Sequence, residues 1–450
     1  MPEPITRAQC EKIFEQVMDA ARKWGVKDVE ATIAGGSHAL TRFANNTIHQ
    51  NVAERTAYLS VRALIDGRTA RATTNAMDAE SIRAVVEQAI AITKLQEPDP
   101  DMQPLAEPDE VIETARAFQR TARAAPQDRA AAVAQAIAVI ESANQTAAGI
   151  YSTGDSALAL LNSRGVSTYH LETLATFSVT AMAQDSSGWA KASACDAGDL
   201  EPVKLASIAA SKAVASSAPG VWDPGKYTVI LEPAAVLDLI GQMFMDFSAT
   251  ALKDGRSFLT DRIGTALFGP NITIQDDVYH PLQAGAPFDG EGLPRRKLAM
   301  VDKGIVREVA YSRHAAALEG KQATGHGFPL PNELGEAPMN VVVAGGDSTI
   351  DEMIASTERG VLVTRLWYIR EVDPYEKIMT GMTRDGTFRI ENGQVTGGLR
   401  NFRFNQGLVE LLKNVEALGP AVRASGEETM DAVVPAMKVR DFNFTEVTRF

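Results

Sequence analysis

The run Thr228-Val229-Ile230-Leu231-Glu232-Pro233 and the apolar stripe that follows it constrain this chain more than any other stretch. Residues 228–231 have the length and β-branched content of a buried strand. Glu232-Pro233 ends the strand, and Pro233 suits the first turn of a helix, where a missing N–H costs nothing. Val236, Leu237, Ile240, Met243, Phe244 and Phe247 then recur at three- and four-residue spacing, so one helix face is apolar. A strand that feeds directly into a buried helix is a frequent seat for hydrolytic ligands. A zinc peptidase would place two His one turn apart on such a helix, with a Glu as base. This helix carries no His; its acids are the leading Glu232, then Asp238 and Asp246.

A chain of 450 residues exceeds one ordinary core, so two domains, or three, are expected. No apolar run approaches the ~18 residues that span a bilayer, so no membrane partner is expected. Met1-Pro2-Glu3-Pro4-Ile5 has neither a basic start nor an apolar core, so no signal peptide is expected and the cytoplasm is the expected compartment. Cys10 and Cys195 alone cannot build a disulfide framework or a metal cluster. The formal charge of −13, with no basic cluster denser than Pro294-Arg295-Arg296-Lys297, argues against direct nucleic-acid binding.

Periodicity predicts an α+β chain. A helix opens at Thr6, with Gln9 at capping-box spacing, and short strands follow over 28–34, 39–44, 48–53, 57–65 and 68–74. A second helix covers about 78–95, and the acidic, proline-rich stretch 97–108 reads as a linker or surface loop. A helix over 128–144, a meander over 149–194 with turns at Gly154-Asp155 and Arg164-Gly165, and a helix over 202–216 repeat the theme. The breakers Ser216-Ser217-Ala218-Pro219-Gly220 and Asp223-Pro224-Gly225 mark a boundary. It separates an N-terminal domain of helices and antiparallel meanders, 1–218, from a C-terminal domain, 226–450. The latter reads as mostly antiparallel sheet with few helices, turns at Arg384-Asp385-Gly386 and Glu391-Asn392-Gly393, and a last helix over 405–414.

Four stretches could carry chemistry, each with a plainer alternative. Asp289 and Glu291 flank Gly290, and in a strand-like loop both would point to one side, as metal or acid–base work requires; the alternative is a tight turn with solvated acids. His326 lies between two glycines that would let a ligand approach, or in an ordinary loop. Arg42, Asn45 and His49 belong to a polar hairpin that either pairs with an extended peptide through its main chain or is simply a hairpin. Gly345-Gly346-Asp347-Ser348-Thr349 precedes a helix whose N–H groups could cradle an anion. A capping box from Ser348 to Asp351, or from Thr349 to Glu352, would occupy them instead. No two of the six His fall at helical metal-ligand spacing.

Taken in order, several motifs resemble the TldD/PmbA family over nearly the whole chain. They are Thr41-Arg42-Phe43-Ala44-Asn45, Ile48-His49-Gln50-Asn51, Asn162-Ser163-Arg164-Gly165, Phe288-Asp289-Gly290-Glu291-Gly292, Thr324-Gly325-His326-Gly327, Leu366-Trp367-Tyr368-Ile369-Arg370 and Asn401-Phe402-Arg403-Phe404-Asn405. In that family, TldD-like chains carry a His-Glu-x-x-x-His helix and a later Cys that bind zinc. PmbA-like (TldE) chains share the fold, lack those ligands and pair with a TldD-like chain. Here Glu232 stands in the column of the first His, Pro233 in that of the Glu and Leu237 in that of the second His, and residues 415–437 contain no Cys. The resemblance therefore implies a TldE-like branch with no zinc in this chain, zinc in a TldD-like partner, and a dimer enclosing a chamber for unstructured peptides. It transfers no catalytic residue. Arg42, Asn45, His49, Asp289, Glu291 and His326 remain candidate peptide contacts, and Trp367 and Tyr368 candidate anchors of the pairing surface. The rival readings are a stand-alone hydrolase using Asp289, Glu291 or His326, and a non-proteolytic binding or scaffolding homodimer.

Overall fold

The structure, a computed structural model, describes residues 4–448. Its first half folds around one six-stranded antiparallel sheet in the order β3-β2-β1-β4-β5-β6. These strands are β1 (Asp28–Ala44), β2 (Thr47–Ile65), β3 (Arg68–Thr74), β4 (Thr146–Asn162), β5 (Ser167–Met182) and β6 (Ser187–Ala194). The short strands expected over 28–65 merge into two long ones. Gly36 and Gly154 lie inside the sheet rather than at turns, and the neighbouring strand's backbone passes where their side chains would stand. Gly154-Asp155 is therefore mid-strand, whereas Asn45-Asn46 and Asp66-Gly67 adopt the positive φ that tight hairpins need.

Five helices accompany these strands, α1 (Arg7–Lys23), α2 (Ala79–Lys94), α3 (Gln119–Ala122), α4 (Pro126–Ser142) and α5 (Pro202–Ala215), and α6 (Pro233–Ile240) belongs to the second half. Thr6 and Gln9 form the expected capping box on α1. Odd-numbered residues of β1 and β4 face the helices: Ala31, Ile33 and Ala159 pack with α1 and α2, and Phe43, Ala147 and Tyr151 with α4 and α5. Two helix–meander–helix units thus share one sheet through the β1–β4 pairing. The connection over 97–108 has no regular structure, yet Leu105 and Ala106 are buried and Asn162 Nδ2 donates to the Ala106 carbonyl at 2.9 Å.

The second half contains two further sheets, with strands β7 (Gly225–Leu231), β8 (Ile274–Asp276), β9 (Leu298–Asp302), β10 (Ile305–Val306), β11 (Val341–Val343), β12 (Arg359–Asp373), β13 (Ile378–Glu391), β14 (Gln394–Gly398), β15 (Phe402–Gly407), β16 (Val415–Leu418), β17 (Val422–Ala424), β18 (Ala432–Val434) and β19 (Met437–Val447). One sheet runs β10-β9-β8-β11-β18-β17. The other runs β12-β7-β19-β15-β13-β14, and β12 also pairs with β13, so five strands close into a ring. Phe402, Phe404, Phe442 and Phe444 stack within its core, Phe402 and Phe444 with centroids 4.5 Å apart. Closure removes two sheet edges that would otherwise expose unpaired backbone. The turn expected at Arg384-Asp385-Gly386 is instead an irregularity inside β13, where the register with β12 shifts between Val363 and Arg365. The helix expected over 405–414 begins only at Leu408, because the preceding residues complete β15.

The breaker cluster after α5 is held against the second half: Gly220 N donates to the Gly398 carbonyl, and Arg400 N to that of Gly220, at 3.0 and 2.9 Å. The sheet face opposite the helices meets the other half through a small apolar cluster of Ala106, Leu160, Val166 and Phe288.

Candidate functional site

β7 lies between β12, which it pairs in parallel, and β19, and delivers the chain into α6 within the largest core. Glu232 occupies the N-cap position with extended backbone, but its carboxylate makes no capping bond. It reaches across to α5, where Lys212 Nζ donates to Oε2 at 2.7 Å, while Thr364 Oγ1 of β12 lies 3.4 Å from Oε1. The carboxylate is thus turned to the ammonium rather than to the helix N–H groups, in a contact that pairs two opposite full charges. Pro233 fills the first helical position, and Leu237 is fully buried in the core.

These positions do not suit a zinc ion. A nitrogen cation already neutralises the Glu232 oxygen, no lone pair comes from Pro233, and Leu237 faces hydrocarbon. Among the described residues no three His, Cys, Asp or Glu side chains converge as a ligand set. The acid beside Leu237, Asp238, is buried and accepts the N–H groups of Glu427 and Glu428 through Oδ1 at 2.9 and 3.0 Å. Burial lifts its carboxyl to about 6 against those two donors. Through this contact α6 holds the segment 425–431, which reaches back to Lys191 of β6 by a 3.1 Å ion pair with Glu427.

A cleft of about 700 Å³ opens between the two halves. Ser187 and Ser216 line one wall, and Asp385, Thr387, Arg400 and Asn401 the other. Ser216 Oγ donates to the Lys212 carbonyl at 2.8 Å, and Gly386 packs on Thr364, which links the cleft to the ion pair. Asp385 pairs with the buried Arg365 and accepts from Ser187 Oγ at 2.6 Å, so the irregular turn in β13 bolts the halves together. The Arg365 guanidinium also lies over Trp189 at 4.8 Å. Trp367 is flanked by Arg365 and Arg384, and Tyr368, at φ 57° and more than half exposed, carries Arg370 over its ring at 4.5 Å.

Asp289, Glu291 and His326 come together elsewhere, in an enclosed polar knot behind the first sheet. Asp289 is buried; Oδ1 accepts the N–H groups of Glu291 and Leu293 at 2.9 Å each, and Oδ2 that of Gly327 at 2.8 Å. Glu291 Oε2 accepts from Arg313 N at 2.8 Å. Burial, then the neighbouring Asp289 charge, pushes the Glu291 carboxyl up to about 8, and burial raises Asp289 as well. His326 is buried with Nε2 3.1 Å from Asp276 Oδ1 and Nδ1 2.9 Å from Thr324 Oγ1. Burial works to raise Asp276, yet His326, the Arg295 charge and the N–H group of Asn340 hold it below the usual range. On the sheet side, Glu30 pairs with Arg71 at 2.6 Å and Arg62 at 3.7 Å, and Arg71 Nε donates to the Leu330 carbonyl at 2.8 Å. The acids are not the solvated pair of a turn. Their oxygens hold backbone in place, which is the chemistry of a latch.

Arg42, Asn45 and His49 stand apart, at the hairpin joining β1 and β2. Arg42 reaches Gln50, at 3.5 Å, and the turn is pinned by Asn46, whose Oδ1 accepts from Ala147 N at 2.5 Å. β3 pairs with β2 only over residues 59–65, so among the described residues no strand covers the outer side of β2 over 47–58. The glycine turn at 345–346 holds no anion cradle. Gly346 N donates to the Gly419 carbonyl at 2.8 Å, and Thr349 with Glu352 forms the capping box.

Sequence reasoning did not find Lys212, Thr364, the Arg365–Asp385 pair or Asp276. Nothing local marks them; each finds its partner only when the two halves, or distant strands, meet. Glu336 is similar: fully buried, it accepts from Ser248 Oγ, Thr250 N and Ser312 N at 2.7 to 3.0 Å.

Comparison with known proteins covers most of the chain. Residues 29–93 match the family model described as PmbA/TldA metallopeptidase domain 1, 104–217 the central domain and 224–446 the C-terminal domain. A protein named "Metalloprotease" from Methanothermobacter thermautotrophicus is 24% identical over 60% of this chain and 61% of its own length. A "Metalloprotease TldD homolog" from Buchnera aphidicola is 25% identical over 48% of this chain and 44% of its own. The matched region thus spans about half the length of the curated relatives. The crystal structure of TldE from Thermococcus kodakarensis has the same fold, with a TM-score of 0.89 at 19% identity over 96% of this chain and 100% of that one.

Proposed function

Because the chain belongs to the PmbA/TldD metallopeptidase family, we propose that it is the non-catalytic, TldE-like subunit of a TldD/TldE-type peptidase. In this reading a TldD-like homologue supplies zinc. This chain completes the chamber and helps to hold an unstructured peptide in extended form. The observation that carries the proposal is the replacement of the metal column by the Lys212–Glu232 pair and the buried Leu237. Charge neutralisation by lysine lets the strand–helix scaffold persist without an ion.

The cleft between the halves and the uncovered stretch of β2 are the surfaces available to an extended peptide, because main-chain pairing tolerates any sequence. Tyr368 is the proposed pairing anchor, since an exposed aromatic side chain buries a large area at little entropic cost. The enclosed positions of Asp289, Glu291 and His326 do not favour a stand-alone hydrolase.

The test mixes this chain with the zinc-bearing TldD-like homologue of the same organism and follows cleavage of an unstructured peptide. Cleavage by the mixture, absent from this chain alone and abolished by chelator, is the expected result. Turnover by this chain alone that survives chelator and is removed by Asp289→Asn or Glu291→Gln would overturn the proposal in favour of the hydrolase.

A further inference from the structure

The helix-bearing face of the first sheet is not fully covered. α1 and α2 close one part and α4 and α5 another, and a pocket of about 500 Å³ opens on this sheet beneath α3. Asp155 of β4 and Tyr169 and Leu171 of β5 line the sheet side. Phe118 and Arg123, flanking α3, line the other. The α3 segment is fixed to the sheet: Phe118 N donates to Thr173 Oγ1 at 3.0 Å, and Thr121 Oγ1 to the Cys195 carbonyl at 2.8 Å. The pocket is therefore a built cavity with a strapped roof.

Its sheet side carries a buried carboxyl group with one unpartnered oxygen. Asp155 is 93% buried by its 7% exposure; Oδ2 accepts from Ser37 Oγ, and Oδ1 is buried without a hydrogen-bond partner. The buried Arg129 of α4 is engaged elsewhere: its Nη1 donates to the Ala124 carbonyl and to Thr153 Oγ1, both at 3.0 Å. Arg7 lies over the Tyr169 ring at 5.4 Å and pairs with Glu113 at 2.6 Å. A carboxylate out of water without a cation is costly, so such a group marks a place where a cation is received.

We propose that this pocket binds a compact apolar primary amine: an amino acid with a hydrocarbon or aromatic side chain, or the N-terminal residue of a short peptide. The ammonium donates to Asp155 Oδ1, and the body lies against Phe118, Tyr169 and Leu171. An ammonium brings the positive charge and donors that Asp155 lacks, and aromatic faces add cation–π attraction. Arg123 offers the complementary charge for the carboxylate of a free amino acid. The cavity exceeds the volume of a single residue, which leaves room for a second one. The inference stands on Asp155 and its cavity alone and does not depend on the subunit assignment.

Calorimetric titration of the full chain tests it with L-phenylalaninamide, L-phenylalanine and N-acetyl-L-phenylalaninamide. The amide should bind saturably at one site, and acetylation, which replaces the ammonium by a bulkier neutral amide, should weaken binding roughly tenfold or more. Tighter binding of phenylalanine than of its amide identifies the free amino acid as the source; the reverse order identifies a peptide N-terminus. Asp155→Asn, which keeps the shape and the Ser37 contact, should cost a similar factor. Leu171→Trp should abolish binding by filling the cavity, with the melting temperature as control in both variants. No saturable binding of the amide, equal binding of the acetylated compound, or unchanged affinity in Asp155→Asn would overturn the proposal.

Discussion

Lys212 Nζ lies 2.7 Å from Glu232 Oε2 and joins the last helix of the first half to the strand–helix junction of the second. Both side chains are about four-fifths buried, at 17% and 19% exposure, so the pair is screened less than a surface ion pair. Glu232 also stands at the N-cap, the positive end of α6. The contact is a clasp between the halves.

Glu232→Ala should destabilise the chain by about 1–3 kcal/mol, between the values typical of exposed and of buried pairs, because it strands the Lys212 charge. Lys212→Met combined with Glu232→Ala should recover part of that loss. Denaturant unfolding of the four species gives the coupling energy; a value near zero would mean that the pair contributes nothing. Activity of the mixture with a TldD-like partner should remain largely intact in Glu232→Ala.

The purified chain should hold no stoichiometric zinc by elemental analysis. Installing Glu232→His and Leu237→His together should not create a site. The second change places a polar ring in the core and should cost about 2–5 kcal/mol, the range for losing a buried Leu. About one zinc per chain after dialysis, in either protein, would contradict this.

Glu291→Gln tests the latch through pH. A carboxyl raised from 4.5 to about 8 in the fold binds more protons folded than unfolded between those values, so stability falls as pH rises through that window. The neutral amide lacks this slope, and its stability relative to the parent should rise by at least about 1 kcal/mol from pH 5 to 9. Parallel pH profiles for the two proteins would refute the raised carboxyl.

Limited proteolysis should cut first within 97–103, ahead of the buried Leu105 and Ala106. Cleavage within 216–225 should be slower, because Gly220 is hydrogen-bonded on both sides to the last sheet. Early cuts within 228–247 would mean that the central strand and helix are not the rigid core described.

Local chemistry determined a great deal. The capping boxes at Thr6 and Thr349, the Asn45-Asn46 and Asp66-Gly67 turns, the helices over 79–94 and 202–215, and the strand–proline–helix start at Glu232 were all legible, because each depends on residues a few positions apart, although the α-helix ends at Ile240 and a 3-10 turn carries Met243 and Phe244. So was the absence of His from α6. Tertiary structure decided the rest. Gly154 was misread as a turn because its reason, the close passage of β1, lies more than a hundred residues away. The Arg384-Asp385-Gly386 run was misread because only the pairing with β12 and the Arg365 ion pair turn those residues into an irregularity within a strand. The burial of Asp289, Glu291 and His326 depends on two halves meeting, and so does the partner of Glu232. A sequence displays the groups that can ionise, but the desolvation and neighbouring charges that set their role exist only once distant segments exclude water together.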